Sequence, residues 1–190
     1  MPSFLARVAV AVGPLLVVLV PRSALALGDV EGEVAAKAGL STAGAVGPET
    51  PYGPGGGMRA GVAIHGAYAG LEALYYQGTP SDRSVIQGGL ELGYGFKAAA
   101  DVLTLRPQVG FGVIAAMGSA IGDGPGPPAT RAEGGYYIAP GVTLLLHITP
   151  HFFVGADLSV ELMPGSHYDS ASSSSLLTVL AAHGQIGWSF

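Results

Sequence analysis

The sequence contains no cysteine and few charged residues. The absence of cysteine excludes a disulfide framework, thiol chemistry and a lipoprotein anchor. Charged residues make up 11% of the chain and hydrophobic residues 49%, whereas about 25% charged residues is usual for a soluble domain. This composition indicates that the chain folds in contact with a membrane.

Long apolar runs are also missing from most of the chain. Beyond the extreme N-terminus no window offers the roughly 18 unbroken apolar residues of a membrane-spanning helix. The 31 glycines and 14 prolines are spread along the whole length, which disfavours a helical bundle. The remaining structure that satisfies every backbone N–H and C=O group in hydrocarbon is a closed β-barrel.

The single apolar run, at the N-terminus, has the features of an export signal. One basic residue precedes the apolar residues 8–20, and Ala24 and Ala26 provide small residues at the two positions that a signal peptidase reads. A retained anchor helix is disfavoured because the run is too short to span a membrane. We therefore expect a signal peptide over residues 1–26, cleaved after Ala26, and one barrel domain over residues 27–190.

Basic residues are outnumbered by acidic ones. The whole chain has a formal net charge of −5, and the expected loss of Arg7 and Arg22 with the signal peptide makes the remainder more acidic. A nucleic-acid partner, which requires a basic face, is excluded on this ground.

From Glu33 onward the dominant periodicity of apolar residues is two, which is typical of β-strands. The pattern recurs eight times, in segments of about the 9 to 11 residues that a tilted membrane strand requires. Its clearest example places one set of residues on the lipid face and a second set on the inner face: Ile86, Leu90, Leu92, Tyr94 and Phe96 against Gln87, Gly89, Glu91 and Gly93. The fold predicted is all-β, an eight-stranded antiparallel up-and-down transmembrane β-barrel.

The gaps between the predicted strands alternate in length. Long gaps rich in Gly, Pro, Ser and Asp occur at about 44–57, 78–84, 119–133 and 163–175, and short gaps lie between them. In barrels of this kind the long loops face outward and the short turns face the periplasm. We expect the loops around Asp123 and His167 to be exposed at the cell surface.

Two further features concern the strands themselves. Pro107 and Pro140 fall inside predicted strands and remove ladder donors, so we expect a bulge or a strand end at both.

Aromatic residues concentrate near strand ends, where membrane barrels carry girdles. The predicted periplasmic girdle is Tyr94, Phe96, Phe152, Trp188 and Phe190, and the predicted outer girdle is Tyr75, Tyr76, Tyr136 and Tyr137.

Charged residues on the inner face are predicted to form an interior polar network. Its members are Lys37, Arg59, Glu72, Glu91, Arg106, Asp157 and Glu161. An eight-stranded barrel is only wide enough for side chains to fill it. Because an unpaired charge in such a lumen costs several kcal/mol, we expect these groups to be paired. The alternative is that some lie near the rims and are solvated.

The C-terminus carries the most specific pattern in the chain. Ile186, Trp188 and Phe190 place hydrophobic residues at alternate positions up to a terminal phenylalanine, which resembles the β-signal that the outer-membrane barrel assembly machinery recognises. With the strand pattern of the whole mature chain, the sequence resembles the small OmpA/OmpX-type barrels. The resemblance implies export through the periplasm to a bacterial outer membrane, and contact there with outer-membrane lipid and lipopolysaccharide.

No residues are assigned to catalysis or to a cofactor. The lipid A deacylases that share this architecture use a His-x-Ser pair, and none of the five histidines has a serine two residues on. The cluster over residues 166–170 contains Ser, His and Asp, but consecutive loop residues do not converge as a catalytic relay requires. Asp123 lacks the further oxygens of a calcium site, and the glycines at 53–57 lack the Lys-Ser/Thr of a phosphate loop.

Three histidines raise the question of a metal site. His65, His147 and His183 are predicted to face inward near the periplasmic end, where a metal cluster is conceivable, although interior histidines more often complete a hydrogen-bond network. No metal or cofactor is therefore assigned. The sequence favours a non-enzymatic outer-membrane barrel with a structural or surface-interaction role, its surface ligand unidentified. A lipid-modifying enzyme of the lipid A deacylase type, and a narrow channel or small-molecule binder, stay open as alternatives.

Overall fold

The computed structural model describes residues 30–43, 53–77, 84–119, 130–164 and 177–190. They form nine β-segments: β1 (Val30–Ala43), β2 (Pro54–Ile64), β3 (Ala67–Gln77), β4 (Ser84–Tyr94), β5 (Phe96–Ala98), β6 (Leu103–Ser119), β7 (Thr130–His147), β8 (Phe152–Met163) and β9 (Leu177–Ser189). Within these ranges no helix is long and apolar enough to cross a membrane. The predicted cleavage positions, Ala24 and Ala26, and the loops around Asp123 and His167 lie outside the described residues.

The segments close into a barrel of eight antiparallel strands. β5 continues β4 beyond Gly95, and both pair with β6 in one register. β1 pairs with β2 on one side and with β9 on the other, so the ring has no free edge. The predicted up-and-down barrel is therefore confirmed, and closure satisfies the backbone groups that an open sheet would leave unpaired in lipid.

Short turns join the strands at one end of the barrel, which we call the turn end. His65 and Gly66 connect β2 to β3 with φ values of 50° and 86°, which fits a two-residue hairpin turn. Residues 99–102 and 148–151 form the other two turns, and Phe190 reaches this end through backbone hydrogen bonds to Gly32. At the opposite end, which we call the loop end, the described ranges stop at residues 43, 77, 119 and 164.

Side chains alternate between a lipid face and the lumen. Outward residues such as Leu71, Val113 and Ile186 are 55%, 68% and 52% exposed. Inward charged residues such as Lys37 and Arg106 are buried. A closed barrel with an apolar outer band and a charged interior is stable only where hydrocarbon surrounds it, because water rarely contacts so large an apolar surface in folded proteins.

Both prolines lie within continuous strands, so the predicted bulge or strand end is wrong at each. β6 and β7 keep a single register through Pro107 and Pro140. The strand pairing is interrupted on the side of each proline that faces away from the β6–β7 pair. β6 is not paired with Tyr94 and Gly95 near Pro107, and β7 is not paired with β8 at residues 139 and 140. The absence of the proline N–H group therefore interrupts the hydrogen bonds to one neighbouring strand locally, without changing the register of that pairing.

The predicted outer aromatic girdle is wrong for two of its four members. Tyr75 and Tyr136 face outward, but Tyr76 and Tyr137 are buried in the lumen. Adjacent residues of a strand point to opposite faces, so only one of each tyrosine pair can meet lipid.

Glycines on neighbouring strands make room for the inward tyrosines. A Cβ on Gly55 would lie 2.3 Å from the Tyr76 ring, and one on Gly112 would lie 2.6 Å from the Tyr137 ring. The glycine-rich residues 53–57, predicted as a loop, accordingly belong mostly to β2, which begins at Pro54.

Replacing Gly112 with alanine should destabilise the barrel by about 1–3 kcal/mol, the usual cost of overpacking. Its Cβ would lie 2.3 Å from the backbone oxygen of Gly88, which cannot move without disturbing the sheet. Urea unfolding in lipid vesicles measures the loss. Gly184→Ala is the matched control, because its nearest neighbour is 3.9 Å away; equal stability of the two variants would contradict the packing argument.

Candidate functional site: the barrel interior

A layer of interlocked side chains crosses the lumen nearer the turn end, and we call it the arginine layer: Glu33, Arg59, Tyr68, Arg106 and Gln185. Glu33 Oε2 accepts hydrogen bonds from Arg59 Nη2 at 3.1 Å and from Arg106 Nη1 at 2.9 Å, and Arg106 Nη2 donates to Oε1. Arg59 Nε donates to Gln185 Oε1 at 2.7 Å. The Arg106 guanidinium stacks 3.9 Å from the Tyr68 ring centroid, a cation–π contact.

The arginine layer spans the full diameter of the barrel. Glu33 lies on β1 and Arg106 on β6, and β6 is the fourth neighbour of β1 in either direction around the ring. Bidentate contact with a planar guanidinium also fixes the orientation of both side chains. The layer therefore ties opposite walls of the barrel together.

A second layer, the lysine layer, lies farther from the turn end and consists of Lys37, Glu72, Glu91, Asp157 and His183. Lys37 Nζ pairs with Glu72, lies 2.9 Å from Asp157 Oδ2 and lies 3.8 Å from Glu91 Oε1. His183 Nδ1 is 3.0 Å from Asp157 Oδ1. One lysine thus serves three carboxylates from three different strands.

Glu161 is the member of the predicted network that the structure does not bring into an ion pair. Its side chain is 2% exposed, and within the described ranges no cationic group lies within salt-bridge distance. Its Oε2 atom likewise has no hydrogen-bond partner there. The other predicted members fall into the two layers. Glu33, Tyr68 and Gln185 were missing from the predicted network, although strand alternation places Glu33 on the inner face.

A cavity of about 510 Å³ opens between the arginine layer and the turn end. Its floor includes Glu33 and Arg106, and its wall includes His65 and His147. At its rim Lys97 Nζ lies 3.5 Å from Glu31 Oε2, and both side chains are partly exposed. The cavity is therefore a blind mouth that ends at the arginine layer.

The three inward histidines do not form a metal site. His65 and His147 line the mouth, whereas His183 lies in the lysine layer with its Nε2 atom 2.8 Å from the Tyr76 hydroxyl. The part of the chain that the structure describes holds no group of three or more His, Asp or Glu side chains placed to bind a metal ion. The three histidines therefore do not come together as a cluster, because His183 lies in the lysine layer, away from the turn end.

Asp157, His183 and Tyr76 form a carboxylate–imidazole–hydroxyl chain from three separate strands. Sequence reasoning missed it because Tyr76 on β3 meets His183 on β9 only through barrel closure, although Asp157 and His183 are cross-strand partners on adjacent strands. Such a chain resembles the relays that activate nucleophiles. Tyr76 is fully buried, however, and His183 is 4% exposed, so the hydroxyl has no surface at which a substrate could meet it.

The C-terminal residues Ile186, Trp188 and Phe190 lie on the lipid face and are 52%, 49% and 42% exposed. Trp188 pairs with Val34 on β1 and with Phe152 on β8. The last strand therefore presents its apolar residues outward while it closes the barrel.

Solved structures with the same architecture include three small barrels. Neisserial surface protein A is 11% identical, with a TM-score of 0.59 and coverage of 84% of this chain and 95% of its own. A major outer membrane protein of Thermus thermophilus is 11% identical, with a TM-score of 0.58 and coverage of 85% and 99%. The N-terminal β-barrel domain of Pseudomonas aeruginosa OprF is 18% identical, with a TM-score of 0.51 and coverage of 83% and 97%.

The fold is that of a small outer-membrane β-barrel. No protein-family model and no curated protein matches the sequence, and identities this low establish the architecture alone. The shared fold and the apolar outer band together assign the chain to the bacterial outer membrane.

Proposed function

We propose that the protein is a plugged, non-enzymatic outer-membrane barrel with a structural or surface-interaction role. In this proposal the short turns face the periplasm, and the segments at 44–52, 78–83, 120–129 and 165–176 are held at the cell surface. Outer-membrane lipid and lipopolysaccharide surround the barrel. The surface ligand is not identified.

The observation that carries the proposal is the hydrogen-bonded contact from Glu33 on β1 to Arg106 on the opposite wall. A conducting pore needs a continuous aqueous path, and this contact crosses the lumen at its full width. The lysine layer adds a second obstruction. Both layers use charged groups whose separation in a narrow lumen is costly, which favours a permanently filled interior over a binding or transport pathway.

Conductance tests the plugged lumen directly. The purified wild-type barrel in a planar bilayer should show at most rare, small openings, because side chains fill an eight-stranded lumen. A wide porin in the same chamber controls for insertion and detection. Steady large currents would reject the proposal and favour the channel alternative.

Mass spectrometry of lipid A separates the proposal from the lipid-modifying alternative. Lipid A from cells with and without the gene should be identical in acyl-chain number and length if the barrel is not an enzyme. A gene-dependent loss or gain of an acyl chain would reject the proposal and favour the lipid-modifying alternative.

Insertion should depend on the terminal aromatic residue. We expect Phe190→Ala to lower the amount of folded barrel in the outer membrane while export to the periplasm is unchanged, because the lesion lies in the proposed assembly signal. Heat-modifiable gel mobility of membrane fractions measures the folded fraction. Phe96→Ala is the control, since Phe96 is also an exposed aromatic near the turn end but lies outside the last strand. Equal losses in both variants would count against a terminal signal.

A further inference from the structure

The lipid face carries a cleft on the side where the barrel closes. Its volume is about 370 Å³, and strands β2, β1, β9 and β8 contribute to it. Ala36 forms the centre of the floor, with Met58 opposite it on β2 and Ile186 opposite it on β9. Because both neighbours are long and exposed while alanine ends at Cβ, the cleft follows β1.

The cleft runs from the turn end toward the middle of the barrel. Trp188 and Phe152 form its wall at the turn end. In the other direction it meets a row in which Ala38 lies between Gly56 and Gly184, and Leu40, 60% exposed, lies beyond that row on β1. The lining residues on β1, from Val34 to Ala36, cover about 7 Å at about 3.3 Å per residue, and the row at Ala38 lies directly beyond them.

A rigid polar group stands where the cleft reaches the membrane surface. The His151 ring stacks on Trp188, with centroids 5.7 Å apart and planes inclined by 19°. Its Nδ1–H donates to the Ser189 carbonyl at 3.1 Å. Aromatic residues of this kind lie at headgroup level in membrane barrels, so His151 is placed beside lipid headgroups.

We propose that this cleft binds one acyl chain of a phospholipid from the leaflet at the turn end, with the headgroup beside His151 and Trp188. The cleft is continuous with the apolar band that contacts the membrane, so an acyl chain of the surrounding lipid can enter it directly. It is about two strand spacings wide, roughly 10 Å between the walls. A flexible chain can follow such a cleft, whereas the convex wall of a second barrel cannot reach its floor.

Selectivity for this site comes from packing and from the headgroup. Bulk lipid is as apolar as the cleft, so the hydrophobic effect does not favour the bound chain over a free one, and association in a membrane depends on close packing and polar contacts. Ala36 and Ala60 provide the packing surface, because larger side chains there would fill the cleft.

The single tryptophan of the chain reports occupancy, because Trp188 is part of the cleft wall. The probe is a phosphatidylglycerol or phosphatidylethanolamine with brominated acyl chains, which quenches tryptophan on contact, diluted into vesicles of the unbrominated lipid. At low mole fractions of the brominated lipid, quenching of Trp188 should be about fivefold greater than random mixing of the two lipids predicts. This excess equals a preference of about 1 kcal/mol for the brominated lipid. The preferred headgroup identifies the phospholipid.

Filling the cleft should abolish this excess. We expect Ala36→Leu/Ala60→Leu to return Trp188 quenching to random mixing, while Ala69→Leu keeps the wild-type curve. Ala69 is an outward alanine at similar depth on β3, outside the cleft. Heat-modifiable gel mobility verifies that each variant is folded. Random mixing in the wild type, an unchanged excess in the double variant, or quenching that falls as the barrel dimerises would each overturn the proposal.

Discussion

Glu33→Gln should lower the free energy of unfolding by about 3–5 kcal/mol, the usual cost of removing one partner from a buried ion pair. The substitution keeps the shape of the side chain and removes its charge. Arg59 and Arg106, both buried, would then face each other without the carboxylate that lies between them. Equilibrium unfolding by urea in lipid vesicles measures the change.

Glu31→Gln is the matched control for this prediction. Glu31 also faces the lumen from β1, two residues nearer the turn end, but its partner Lys97 is 51% exposed at 3.5 Å. Exposed ion pairs contribute about 0–1 kcal/mol, so this variant should be nearly as stable as the wild type. A Glu33→Gln variant that is no less stable than Glu31→Gln would show that the arginine layer is not what ties the walls together.

The faces of the strands could be predicted from the sequence because alternation is a local property. Lys37, Glu91 and Asp157 lie on the inner face as their positions predict, and each is buried. The same rule places Tyr76 and Tyr137 inside, and the error in the outer girdle arose from treating neighbouring tyrosines as a single belt. Because consecutive side chains of a strand point to opposite faces, two adjacent tyrosines cannot both face the membrane.

The partners inside the lumen could not be predicted in the same way. Which residues meet across a barrel depends on the stagger between strands, and no short stretch of sequence contains that quantity. The sequence pattern starts its first strand at residue 33, at the rim, whereas β1 begins at Val30 and carries Glu33 below the rim. The contact of Tyr76 on β3 with His183 on β9 depends on closure in the same sense.

The largest effect in the lysine layer is expected for Lys37→Met. Methionine keeps the unbranched stem and removes the ammonium group, which leaves the carboxylates of Glu72, Glu91 and Asp157 buried together without their shared cation. We expect a loss of about 3–5 kcal/mol in the free energy of unfolding. The same urea titration applies, with Lys97→Met as the control for loss of an exposed lysine.

A double variant distinguishes charge from packing as the cause of this loss. If the uncompensated carboxylates destabilise the barrel, Lys37→Met/Glu72→Gln should recover part of the stability, with a coupling energy of about 0.5–3 kcal/mol between neighbouring sites. If lost packing of the lysine stem were the cause, the two substitutions would add without recovery, because Glu72→Gln hardly changes the volume around residue 37. Additive losses would therefore refute the view that Lys37 holds three strands together by its charge.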